Sequence, residues 1–256
     1  MLAKVVGRFG LLMVERLATV GLQYTVYLLE VGLLAYMLLR GHGKRLLGVS
    51  LYLVGLLAID AIARPFVLYS YGFTSRQYAY FFWLSDAVLA LAAFVLICAL
   101  FRRACTNEQK LWRYFRVALA LIFILVLAIS LLSLSRHYDE LITRFVVEFE
   151  QNLYFTCLVL NTLLYILLQQ IDTADEELAL LVCGLGIQFA GPAATYALVH
   201  LTPGRDYAIS LNRLLGPLCT MGMLLTWFYA VARMPKTVVV PNPSRRALSA
   251  VEAEVR

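Results

Sequence analysis

The chain has 256 residues, of which 62% are hydrophobic and 15% charged, with a mean hydropathy of +0.78. Soluble domains are about 45–50% apolar and about 25% charged, so a water-soluble globule is excluded: it would expose too much apolar surface. The net charge of +6 raises the question of nucleic acid, but the bases sit at the ends of apolar blocks and form no stripe of their own, which argues against it.

Met1 to Leu17 carries Lys4, Arg8, Glu15 and Arg16 among apolar residues with no small-residue cleavage site, which predicts an interfacial amphipathic helix rather than a signal peptide. The apolar blocks that follow have the length, about 20 residues, needed to span a hydrocarbon core. They predict spans at Ala18 to Leu39, Leu47 to Tyr69, Tyr78 to Phe101, Val117 to Ser135, Phe145 to Gln169, Leu178 to Leu201 and Ala208 to Val231. None alternates as a membrane β-strand would. The expected fold class is therefore all-α, an integral membrane bundle of seven transmembrane helices. Its expected parts are an interfacial segment at 1–17, the helical domain at 18–231 and a short cytoplasmic tail at 232–256.

Lys and Arg are enriched in short cytoplasmic loops, and this orients the bundle. Arg40, Lys44 and Arg45 occupy the first turn, Arg102, Arg103, Lys110, Arg113 and Arg116 the third, and Arg233, Lys236, Arg245 and Arg246 the C-terminal segment. The other connections are poorer, with Arg76, Arg136, Arg144 and Arg205. The N-terminus is thus expected outside and the C-terminus in the cytoplasm of a cell inner membrane. Lys4, Arg8 and Arg16 run against that orientation, as does the acidic connection Asp172 to Glu177. Tyr69, Tyr71, Tyr78, Tyr80 and Trp83 near one face, and Trp112, Trp227 and Tyr229 near the other, suit interfacial belts.

Ionisable residues within spans are costly, at about 2.5–3.5 kcal/mol for Asp or Arg at a helix centre, and usually face the protein interior. Asp60 and Arg64 are spaced as an i,i+4 pair on the second span, and Asp86 lies on the third. Counting from the cytoplasmic end puts Asp60, Asp86 and Arg64 at roughly 20, 22 and 26 Å, with Asn212 and Arg213 close by at about 27–28 Å. Glu30, Asn161 and Gln188 come out as a second layer at roughly 12–15 Å, where Glu30 is expected to hydrogen-bond an amide. These eight residues are candidates for a ligand or proton site, and equally for polar contacts that hold helices together. Gly191-Pro192 and Gly216-Pro217 predict kinks, as hinges or static bends, while Gly184, Gly186, Ala193 and Ala194 suit close helix contacts.

Other chemistry is missing from the sequence. Lys4, Lys44, Lys110 and Lys236 all lie outside the spans, so no lysine is placed to hold retinal. His42, His137 and His200 do not pair at ligand spacing, and the cysteines, Cys98, Cys105, Cys157, Cys183 and Cys219, form no C-x-x-C. With no H-E-x-x-H, G-x-S-x-G or Walker A motif, no catalytic residue, metal site or cofactor is expected.

The aromatic, acid-bearing stretch Tyr78-Ala79-Tyr80-Phe81-Phe82-Trp83-Leu84-Ser85-Asp86, the basic turn Arg102-Arg103 and the Gly-rich Cys183-Gly184-Leu185-Gly186 resemble a group of bacterial seven-helix membrane proteins without an assigned activity. The layout is also similar to the seven-helix sensor region that precedes some histidine kinases, without the kinase part. The resemblance implies a receptor-like or accessory module with a protein partner at the cytoplasmic loops and tail. The alternative is a small transporter or proton-conducting subunit using Asp60, Arg64, Asp86 and Glu30. Membrane lipids are expected partners in either case.

Overall fold

In the computed structural model the described backbone comprises residues 2–41, 43, 45–72, 74–106, 109–134, 141–170, 175–201 and 205–233; within it, side chains are described except at 2–18, 133–134, 141–144, 196, 198–201 and 205–213. The described residues are helical, without strands. The helices are α1 (Leu2–Leu39), α2 (Leu47–Leu56), α3 (Arg64–Tyr71), α4 (Arg76–Ala104), α5 (Gln109–Leu134), α6 (Leu141–Gln170), α7 (Glu176–Leu201) and α8 (Arg205–Arg233). A π-helical segment, Leu57–Ala63, joins α2 to α3, so the second rod is continuous.

Each of the seven rods contains a stretch long and apolar enough to cross a membrane: Thr19–Leu39, Leu47–Tyr71, Arg76–Ala104, Gln109–Leu132, Phe145–Gln170, Glu176–Thr195 and Leu214–Arg233. A helix satisfies its own backbone groups, which is what a medium without water requires. The segment assigned to the interface continues into the first span as one unbroken helix from Leu2. Between α3 and α4 the chain reverses at Gly72, whose φ of 79° favours glycine, and Ser75 then caps α4 by accepting the Tyr78 N–H at 3.1 Å. The predicted tail from residue 234 onwards lies outside the described residues.

The rods form a ring. Contacts run from α1 to α8, α7, α6, α4 and back through α2, while α5 lies outside it against α6 and α4. On α5, Leu119, Val126 and Ser130 turn inward, and Val117, Leu121, Ile124 and Leu125 point out. This apolar exterior is the pattern expected of a surface that meets lipid.

The most extensive helix pairing is α7 with α8, and glycine allows close approach there. A Cβ at Gly184 would stand 2.6 Å from Trp227 Nε1, and one at Gly191 would stand 2.7 Å from Cys219 Sγ. Trp227 is fully buried and donates its indole N–H to the Leu181 carbonyl at 2.9 Å. Leu33, Met37, Leu53, Ile97, Leu164 and Leu185 fill the same half of the ring.

Ion pairs tie the rods together beyond this packed layer. Arg45 reaches Glu177 at 2.9 Å, Arg103 reaches Asp175 at 3.0 Å and Glu177 at 2.8 Å, and Arg233 reaches Glu176 at 3.4 Å. The acidic connection that ran against the charge-based orientation is thus neutralised by the basic residues of the same end. We call this the basic end; Asp172 lies outside the described residues.

Candidate functional site

The opposite half of the ring is built around an irregularity in the second rod. In the π segment the Arg64 N–H bonds to the Ile59 carbonyl, one residue further back than in an α-helix. In the same register the next donor, to the Asp60 carbonyl, would be residue 65. That residue is proline and has no N–H. The hydroxyl of Tyr27 on α1 takes its place, donating to the Asp60 carbonyl at 2.9 Å. The widened turn therefore ties α1 to the second rod and sets Asp60 and Arg64 inward. Single π turns of this kind often mark functional positions.

Arg64 is the hub. It donates through Nη1 to Asp60 Oδ1 at 2.6 Å, through Nη2 to Asp86 Oδ1, and through Nε to Ser85 Oγ at 3.0 Å. Its guanidinium lies over the Phe82 ring, 4.4 Å from the centroid. Ser85 passes its own proton to the Phe82 carbonyl at 2.8 Å. The predicted cluster of Asp60, Arg64 and Asp86 is thus present as a network between the second and third rods.

Around the network is a cavity of about 400 Å³ that is lined by all six rods of the ring. Polar groups enter it from Gln23 and Glu30 on α1, Tyr52 on α2, Glu150 and Tyr154 on α6, Gln188 and Thr195 on α7, and Thr220 on α8. The side chains of Asp60, Asp86 and Arg64 keep 21%, 20% and 16% of their surface exposed, so the cluster is reachable rather than sealed. Toward the basic end the cavity stops at the packed layer of Leu33, Leu53, Leu185 and Trp227.

Glu30 and Gln188, expected in a second layer, line the same cavity as Asp60, Arg64 and Asp86. Among the described residues Glu30 does not hydrogen-bond the expected amide: it is 2% exposed, and its Oε2 has no hydrogen-bond partner there. Asn161 is apart from the site. It donates to the Val182 carbonyl at 3.0 Å and serves as a contact between α6 and α7. The side chains of Asn212 and Arg213 lie outside the described residues, as do His137 and His200.

Both prolines border the cavity. Pro192 and Pro217 lie inside α7 and α8, and each deprives the carbonyl four residues earlier of its helical donor. Thr195 and Thr220 donate to the Gly191 and Gly216 carbonyls at 3.0 and 3.1 Å beside these breaks.

The sequence reading missed Glu150, 3% exposed, along with Gln23, Tyr154, Thr195 and Thr220. For Glu150 a signal was available. A carboxylate inside an apolar span is the pattern that singled out Asp60. Thr and Tyr carry no such mark, because they are common in spans that bind nothing.

Among the described residues, no three of His, Cys, Asp and Glu converge as a metal site. The chemistry on offer is binding: buried carboxyls, one guanidinium, aromatic faces and apolar walls around an open volume. The chain matches no protein-family model, no curated protein and no solved structure.

Proposed function

We propose that this chain is a receptor-like membrane module of the bacterial inner membrane that binds a small ligand in the cavity and passes its state to a protein partner. One observation carries the reading: the polar network opens into a volume of about 400 Å³ that is closed toward the basic end. A network needed only to lock helices would be packed around, with no room left beside it. A blind cavity suits recognition better than conduction. With the N-terminus outside, the cavity faces the exterior, and the basic turns and C-terminal tail meet the partner in the cytoplasm.

A transporter or proton-conducting subunit is the second reading, favoured by the proline breaks of α7 and α8 at the cavity wall. Two measurements separate them. Mass spectrometry of the protein purified in mild detergent should find a small molecule that Asp86→Asn releases; a folded protein without such a molecule would count against the binding reading. Proteoliposomes under an imposed pH gradient should stay tight, whereas a proton flux abolished by Glu30→Gln would put transport first.

A further inference from the structure

We infer that the cavity takes a small organic cation, an amine whose ammonium group is received by Glu30 and Gln188. The inference rests on the binding reading and supplies the chemical class of its ligand. It begins from an imbalance of hydrogen-bonding groups. Arg64 already directs three of its five N–H donors, one from each nitrogen, to Asp60, Asp86 and Ser85. Glu30 Oε2 and Gln188 Oε1 are buried acceptors with no hydrogen-bond partner among the described residues. Buried acceptors without donors are costly to leave. An ammonium is the complementary group, because it carries only donors.

Charge points the same way. Glu30, Asp60, Asp86 and Glu150 line the cavity, and Arg64 is the one cationic side chain among its described lining residues. A ligand carboxylate or phosphate would meet like charge there. A neutral alcohol would answer the hydrogen bonds and leave the carboxyl groups without compensation.

The walls distinguish an organic cation from an inorganic one. Tyr52, Trp83 and Tyr154 bring aromatic surface to the cavity, which attracts cations and accommodates carbon. Val26, Leu56 and Leu89 add apolar wall. A bare metal ion needs converging side-chain ligands, and no such group of His, Cys, Asp and Glu occurs among the described residues. A volume of about 400 Å³ also lies in the range used by small molecules, about 300–1,000 Å³.

The test uses the full chain in lipid nanodiscs, with thermal unfolding followed against 2-phenylethylamine, 2-phenylethanol and 3-phenylpropanoate at equal ionic strength. The amine should raise the midpoint in proportion to the logarithm of its concentration, and the alcohol and acid should not. Glu30→Gln should weaken the amine about tenfold or more, as loss of a charged hydrogen-bond partner implies. Gln188→Leu carries the same test with a smaller expected loss should Glu30→Gln fail to fold. If the alcohol or the acid stabilises as well as the amine, the cationic assignment is wrong while binding stands. Equal stabilisation by sodium chloride alone would remove the organic part. If none of the three acts, the inference is overturned, and the co-purified molecule decides the binding reading separately.

Discussion

The two halves of the bundle use charge in opposite ways. At the basic end Arg45, Arg103 and Arg233 meet Asp175, Glu176 and Glu177; the Arg233–Glu176 pair is exposed, while the Glu177 side chain, at 10%, is no less covered than the cavity cluster. These pairs tie the ends of the rods together over the packed layer of Leu33, Leu53, Leu185 and Trp227. In the other half, Asp60, Arg64 and Asp86 sit inside the ring with open space beside them. Burying charge is expensive, and leaving a void forfeits packing, so that half sacrifices stability in two ways. Packing and open volume have been separated along the axis of one bundle.

Trp227→Ala removes a fully buried ring and its bond to the Leu181 carbonyl, and should cost about 3–5 kcal/mol. Reversible unfolding in mixed micelles would measure it; a loss below about 1 kcal/mol would mean that α7 and α8 are held by something else.

Next comes Arg64→Met, which leaves Asp60 and Asp86 facing each other without their cation. Removing one partner of a buried pair costs about 3–5 kcal/mol, and the partial exposure here puts the expectation at the lower end. Adding Asp60→Asn and Asp86→Asn should restore most of the folded yield. If the triple variant unfolds as readily as the single one, the network is not the source of the loss.

Tyr27→Phe tests the π turn. It should cost about 0.5–1.5 kcal/mol, since the Asp60 carbonyl loses the Tyr27 hydroxyl and gains no donor from Pro65. Faster amide exchange confined to residues 57–63 would accompany it, and unchanged exchange would show that Tyr27 does not hold the segment.

The smallest effect belongs to the basic end. Arg233→Gln breaks a long, exposed pair with Glu176 and should change stability by about 0–1 kcal/mol. A larger loss would mean that the ion pairs, and not the core beneath them, close that end.

Much of the cluster could be read in advance. Asp60 and Arg64 stood four residues apart on an apolar span, and Asp86 came to the same level by counting residues. Glu30 and Gln188 were recognised as unusual but not as lining one cavity with the cluster, and Asn161 was grouped with them although it bonds a neighbouring helix backbone. Glu150 passed unnoticed. The acidic stretch near Glu177 read as a contradiction until Arg45 and Arg103 were seen to pair with it.

The sequence by itself determined that the chain is helical and apolar enough to cross a membrane seven times, because backbone satisfaction in lipid leaves local hydrophobic length as a sufficient signal. Which polar residues share a site was decided only by tertiary structure. That depends on helix rotation, on the register set by a π turn and two prolines, and on which rods are neighbours. None of these is a local property of the chain: the cavity exists because six rods, with lining residues from Gln23 to Thr220, leave a volume unfilled between them.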